Sequence, residues 1–191
     1  MSLSRRQYQK KECITFKSTK GEFGGLSNMA PNYLVFINEV QVKNIESLYQ
    51  ALRFPEFPEI QQNILNHTSP ISAKQFARQF EEKTRVDWDH SRFKIMKFCI
   101  QLKYFYNKKE FGDLLLKTKN RPIVEFTFED KVWGATDEGK YYEGTNALGR
   151  LLMELRESIK SNTFQLEVPR IENFKLLGKD INGDSFKKYN Y

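Results

Sequence analysis

Histidine is nearly absent from this sequence: His67 and His90 are the only two in 191 residues, and neither sits in a pattern that supplies a partner. That scarcity argues against a histidine-centred acid–base relay and against a multi-histidine metal site. Cysteine is as scarce. Cys13 and Cys99 form neither a zinc pattern nor a disulfide framework, so both read as reduced thiols of a cytoplasmic protein. No stretch approaches the roughly 18 consecutive apolar residues that a membrane span requires, and the opening MSLSRRQYQKK lacks the apolar core of a secretion signal. Walker loops, dinucleotide fingerprints, internal repeats and low-complexity tracts are missing too.

What the chain does have is positive charge and aromatic residues. Its 31 Lys and Arg outnumber 24 Asp and Glu and leave a net charge of +7, which attracts polyanions without by itself proving nucleic-acid binding. A hydrophobic share of 39% over this length fits one domain whose core needs no disulfides. Residues 12–17 and 33–42 carry strand patterns, the second folding back at Asn38-Glu39. Helical spacing runs over 45–54, 58–65, 70–80, 91–106 and 109–116, and residues 121–127 return to strand character. Ser69-Pro70 marks a helix start with Ile71, Phe76, Ala77 and Phe80 as its buried stripe. From Asn146 to Ile159 a closing helix places Leu148, Leu151, Leu152, Leu155 and Ile159 on one face. The pattern predicts an α+β fold, mostly helical, a single domain with a small antiparallel sheet. Residues 1–11 read as a flexible basic N-terminus, 12–160 as the domain, and 161–191 as a C-terminal extension packing on it as strand and turn.

Several groupings could carry chemistry. The run from Glu125 to Arg156 puts a carboxylate on a strand, Trp133-Gly134 in a turn and Asn146 at a helix start. A carboxylate, an aromatic plate with a glycine leaving space beside it, and a helix amino terminus suit a base, a sugar and a phosphate. The segment GEFGGLSNMAP, residues 21–31, holds three glycines with Ser27 and Asn28, a composition that lets amides approach a ligand and also occurs in ordinary loops. In the helix from Asn44, Glu46, Gln50 and Arg53 share a face opposite Ile45, Leu48 and Leu52; that polar face reads as solvated unless the helix is covered on both sides. Trp88 in RVDWD, residues 85–89, is either a core plug or a stacking ring. With histidine so scarce, catalysis would fall to carboxylates, aromatic stacking and fixed amides. That set suits cleavage of an N-glycosidic bond, whose oxocarbenium-like transition state a carboxylate stabilises while water attacks.

Taken in order, FKS at Phe16, GLSNM at Gly25, ESLYQALRF at Glu46, SPISAK at Ser69, RVDWD at Arg85, IVEFT at Ile123, VWG at Val132 and TNALGRLLMELRE at Thr145 resemble the NADAR family, also called YbiA-like N-glycosidases. The resemblance runs from about Thr15 to Glu157. It implies a hydrolase of N-glycosyl bonds without a cofactor or metal, acting on ADP-ribose-containing or phosphoribosylated substrates. Carried over motif by motif, it implies Glu46 and Glu125 as the leading carboxylates and Lys20 as a further catalytic candidate through an imine. The same carry-over makes Ser27, Asn28, Gln50, Arg53, Lys74, Trp88, Trp133, Gly134, Asn146 and Gly149 substrate contacts, with the Trp rings as platforms and Asn146 on phosphate or ribose. Lys20 and Lys74 also read simply as surface lysines. Where bacterial YbiA-like members read EHYFQ and VEHT, this chain has ESLYQ at Glu46 and VEFT at Val124, losing both histidines and keeping both glutamates. With the tail and the form of the first loop, this points to the branch that removes ADP-ribose from guanine in DNA or RNA. An N-glycosidase of riboflavin-biosynthesis intermediates and a noncatalytic binder of ADP-ribose or nucleic acid are the alternatives.

Overall fold

The computed structural model describes residues 4–186. In chain order the elements are β1 (Arg6–Gln9), β2 (Ile14–Phe16), β3 (Val35–Ile37), β4 (Val40–Val42), α1 (Ile45–Ala51), α2 (Pro58–Asn66), α3 (Pro70–Arg78), α4 (Trp88–Tyr106), α5 (Lys108–Lys117), β5 (Ile123–Glu125), β6 (Thr136–Asp137), β7 (Tyr141–Gly144), α6 (Ala147–Lys160), β8 (Lys175–Leu176) and β9 (Lys179–Asp180). The class is α+β, as the sequence predicts. Two compact units arise, each from two separated stretches of chain: 1–30 with 108–165, and 31–107 with 166–191.

In the first unit β2 and β5 pair in parallel, Ile14 opposite Ile123 and Phe16 opposite Glu125. An antiparallel sheet was the expectation, and here it is the separate ladder β1-β7-β6. That ladder also corrects the flexible arm expected over residues 1–11. Arg6–Gln9 pairs with β7, Tyr8 turns into the core at 7% exposure, and Gln7 donates to Glu143. One buried tyrosine and a full set of backbone partners hold the segment despite its charge. Met1–Leu3 lie outside the described residues. Helix α6 packs on β5 and α5, burying Leu148, Leu151, Leu152 and Leu155. The buried Arg156 ties α6 to the chain after α5, donating to Thr118 Oγ1 at 2.9 Å and to the Arg121 carbonyl at 2.8 Å.

In the second unit the β3–β4 hairpin turns at Asn38 and Glu39, both left-handed with φ of 49° and 67°. Two positive φ values in a two-residue loop match the twist of the strands they join. Asn44 caps α1 by accepting from the Ser47 N–H at 2.8 Å. Every residue of α1 is buried, because α2, α3 and α4 all pack against it. Ser69 caps α3 as expected, but the buried line runs through Ala73 and Ala77, four residues apart, and Ile71 falls off it at 57% exposure. Residues 166–186 return to this unit and include the β8–β9 hairpin. Gln61, fully buried, pins it by donating to the Lys175 and Ala51 carbonyls and accepting from the Leu177 N–H. The last part of the expected extension, residues 187–191, is outside the described residues. Among those described, no helix is long and apolar enough to cross a membrane.

Candidate functional site

The candidate residues fall in both units, and each group has its own local logic. In the second unit, Glu46 and Gln50 lie one turn apart on α1 at 6% and 4% exposure. The polar face of this helix is therefore not solvated, contrary to the simplest reading of its sequence. Gln50 Nε2 donates to Glu46 Oε1 at 2.8 Å, and Arg53 Nη1 donates to Gln50 Oε1 at 3.0 Å. Arg53 Nη2 reaches Thr84 Oγ1 at 3.0 Å, and its guanidinium carbon lies 5.3 Å from the centre of the Trp88 ring. The Tyr49 ring completes the group, 5.1 Å from Trp88. Burial raises the Tyr49 phenol well above its ordinary pKa and the negative Glu46 adds to the rise, so Tyr49 is a neutral donor at physiological pH. Burial likewise draws Arg53 down, against the pull of its acidic neighbours.

The chemical consequence is a carboxylate with one oxygen committed and one not. Glu46 Oε1 is held by Gln50, whereas Oε2 has no hydrogen-bond partner among the described residues. Arg53 bears on Glu46 through its charge and through the Gln50 amide but makes no direct ion pair with it, so the amide orients the carboxylate. A carboxylate held this way can take a proton from water or stabilise a developing cation. Arg85, whose N–H bonds to the Arg53 carbonyl at 2.9 Å, grips Asp87 and holds that carboxyl below the usual range, then donates from Nη2 to the Glu172 carbonyl at 2.7 Å. Arg85 thereby fastens the chain ahead of Trp88 to the C-terminal segment.

In the first unit, Glu125 ends β5 half-buried, and the residues around it serve the backbone. Asn146 is fully buried and left-handed at φ 49°. Its Oδ1 accepts from the Glu125 N–H at 3.1 Å and its Nδ2 donates to the Ile123 carbonyl at 2.8 Å, so the side chain acts as one more rung beside the strand. The start of α6 is occupied as well. The N–H groups of Asn146, Ala147 and Leu148 bond to the carbonyls of Gly134, Val132 and Trp133. The expected phosphate or ribose contact at Asn146 is thus corrected: its side chain and the first helix amides are spent inside the fold. Gly149 and Gly134 are corrected in the same way. A Cβ at Gly149 would collide with the Ile123 carbonyl, and one at Gly134 with the Glu125 carbonyl, so these glycines give room to β5 and not to a flat ligand.

Trp133 is half-buried on the turn before Gly134, its N–H accepted by Asp130 Oδ1 at 2.9 Å. Ser27 and Asn28 are buried at 7% and 6%, with Ser27 Oγ accepting from the Met29 N–H at 3.2 Å. Lys20 is exposed on the preceding loop and Lys74 half-exposed on α3. Two participants carried no signal in the sequence. Tyr49 stands three residues from Glu46 in a helix whose apolar pattern already explains an aromatic, and Thr84 meets Arg53 across 31 residues of chain.

Comparison with known proteins places this geometry. Residues 15–160 match the NADAR domain. The riboflavin biosynthesis protein PYRR, chloroplastic, of Zea mays is 33% identical over 159 residues, covering 76% of this chain and 25% of the maize protein, so the chain spans about a quarter of that relative. The N-glycosidase YbiA of Escherichia coli (strain K12) is 32% identical over 146 residues, 76% of this chain and 88% of YbiA. The NMR structure of E. coli YbiA superposes with a TM-score of 0.68 at 27% identity, covering 85% of this chain and 95% of that one. With the family domain matched over most of this chain and relatives named as N-glycosidases, this chain belongs to the NADAR family.

Proposed function

We propose that the protein hydrolyses the N-glycosidic bond between ADP-ribose and a guanine base in DNA or RNA. The observation that carries the chemistry is Glu46: buried, oriented by Gln50, and with Oε2 uncommitted. In this reading Glu46 activates water or stabilises the oxocarbenium-like transition state, and Trp88, flanked by Arg53 and Tyr49, is the aromatic platform for a base. Glu125, in the first unit, is retained as a candidate carboxylate in its own right. Asn146, Gly149 and Gly134 act on it indirectly, by holding β5 in place. The substrate assignment is supported by the net charge of +7 and by the two motif positions where family histidines give way to Ser47 and to Phe126. Two buried free thiols fit a reducing cytoplasm as the setting.

The names of the maize and Vibrio vulnificus relatives favour a second reading, action on a phosphoribosylated intermediate of riboflavin biosynthesis. One assay separates the two. Incubating the protein with an ADP-ribosylated oligonucleotide and with a small phosphoribosylated pyrimidine, and following released sugar by mass spectrometry, should show release from the oligonucleotide. Release from the pyrimidine alone overturns the assignment in favour of the second reading. Tight binding without turnover of either substrate assigns the protein as a binder.

A further inference from the structure

The first unit carries an aromatic cluster that the chemistry above does not use. Phe128 is 73% exposed, the only aromatic among the strongly exposed large apolar residues described. Its ring stands edge-on to Phe126 at 5.4 Å, and Phe126 lies 5.7 Å from Tyr142. Two lysines sit over these rings. Lys17 Nζ is 3.8 Å from the centre of Phe128 and 5.6 Å from that of Phe126, and Lys10 Nζ is 5.2 Å from Tyr142.

The backbone fixes this arrangement. Phe126 donates its N–H to the Phe16 carbonyl at 2.9 Å, which sets Lys17 beside it. Beyond Phe128 the turn is tied by Asp130, whose Oδ1 accepts from the N–H groups of Val132 and Trp133 and whose carbonyl accepts from Thr127 Oγ1. Lys10 pairs with Asp137, whereas Lys17 has no carboxylate partner among the described residues. An isolated exposed phenylalanine needs no explanation. Here three aromatic rings and a lysine ammonium without an ion pair are held together on an ordered turn that begins one residue after Glu125. Rings that offer a π-face, beside cations that attract phosphate, are the elements by which proteins hold unpaired nucleotides without reading their sequence.

We propose that Phe128 and Lys17, backed by Phe126, form a stacking site for an unpaired base and its phosphate in a single-stranded nucleic acid. The proposal rests on the reading of the substrate as nucleic acid.

The test is fluorescence anisotropy of the full chain with a labelled, unmodified single strand, in DNA and RNA forms, over a range of salt. Phe128→Ala should weaken binding about tenfold or more, and Phe128→Trp should keep it. Lys17→Gln should weaken it and lower the salt slope by about one. Far-ultraviolet circular dichroism confirms that each variant is folded. Equal binding by Phe128→Ala and the parent overturns the proposal. So does equal retention by Phe128→Leu and Phe128→Trp, which would show that binding does not depend on an aromatic face. Because the probe carries no ADP-ribose, the two readings fail separately: ring-dependent binding without hydrolysis counts against the activity alone, and hydrolysis of the oligonucleotide with no effect of Phe128→Ala counts against this site alone.

Discussion

The Gln50 amide and the Glu46 carboxylate, one helical turn apart, share a 2.8 Å hydrogen bond on a helix with no exposed residue. The amide can point only one way. Its oxygen must face Arg53, which only donates, and its nitrogen must face the carboxylate, which only accepts. The direction of the bond is therefore set by chemistry, and the Glu46 side chain is held in a fixed pose.

Glu46→Gln keeps the shape and removes the charge. We expect kcat for the N-glycosidic substrate to fall by ~10²-fold or more while the thermal midpoint moves little. Single-turnover hydrolysis read beside a melting curve checks this, and activity within tenfold of the parent would remove Glu46 from the acid–base role.

Arg53→Ala should be costly for a different reason. It strands the Gln50 oxygen in a buried setting, at about 1–3 kcal/mol, and takes away the packing over Trp88. The double variant Gln50→Ala with Arg53→Ala should cost less than the sum of the singles, because the stranded group is gone. Urea denaturation of the four proteins measures the coupling, and strict additivity would contradict a shared network.

Asn146→Asp tests whether that residue serves the fold or a ligand. The carboxylate keeps the acceptor for Glu125 but cannot donate to the Ile123 carbonyl, leaving two oxygens face to face in a buried place. We expect about 2–4 kcal/mol of destabilisation by urea titration. A variant of unchanged stability with altered KM would restore the ligand role.

Lys103 supplies a pH test. It is 1% exposed, its Nζ 4.2 Å from the Tyr33 ring centre, and burial draws its pKa well below the ordinary 10.5. Between the depressed folded value and that ordinary value the unfolded chain binds one more proton than the folded chain, so this group makes stability rise with pH across the window. The rise is at most about 1.4 kcal/mol per pH unit. Lys103→Met should flatten that part of the profile. Urea midpoints taken from pH 7 upward decide, and identical slopes in the two proteins refute the assignment.

How much of this the sequence disclosed depends on distance along the chain. The spacing of Glu46, Gln50 and Arg53 was legible, as were the Ser69 cap and the turn at Asn38-Glu39, because each is a local pattern. The burial of Glu46 was not, since α4 and the other covering helices are separate stretches of chain whose arrival no helical wheel records. Asn146 was legible as special and misread as to purpose. A helix-capping asparagine ordinarily sits in extended backbone and serves its own helix, but this one is left-handed and turns its side chain to a strand more than 20 residues earlier. The arm at Arg6–Gln9 was missed because its partner is over 130 residues away and its composition is mostly charge and amide.

The pairing of β2 with β5 has a consequence for synthesis. A ribosome releases residues 14–16 more than 100 residues before their partners at 123–125. During that interval the helices of residues 45–106, whose contacts are mostly between neighbours in the chain, are free to assemble. The early strand must meanwhile stay unpaired in the company of the nascent chain. Among the first segments made, it is among the last to find its place, and chaperone demand or misfolding in this protein should concentrate in that waiting period.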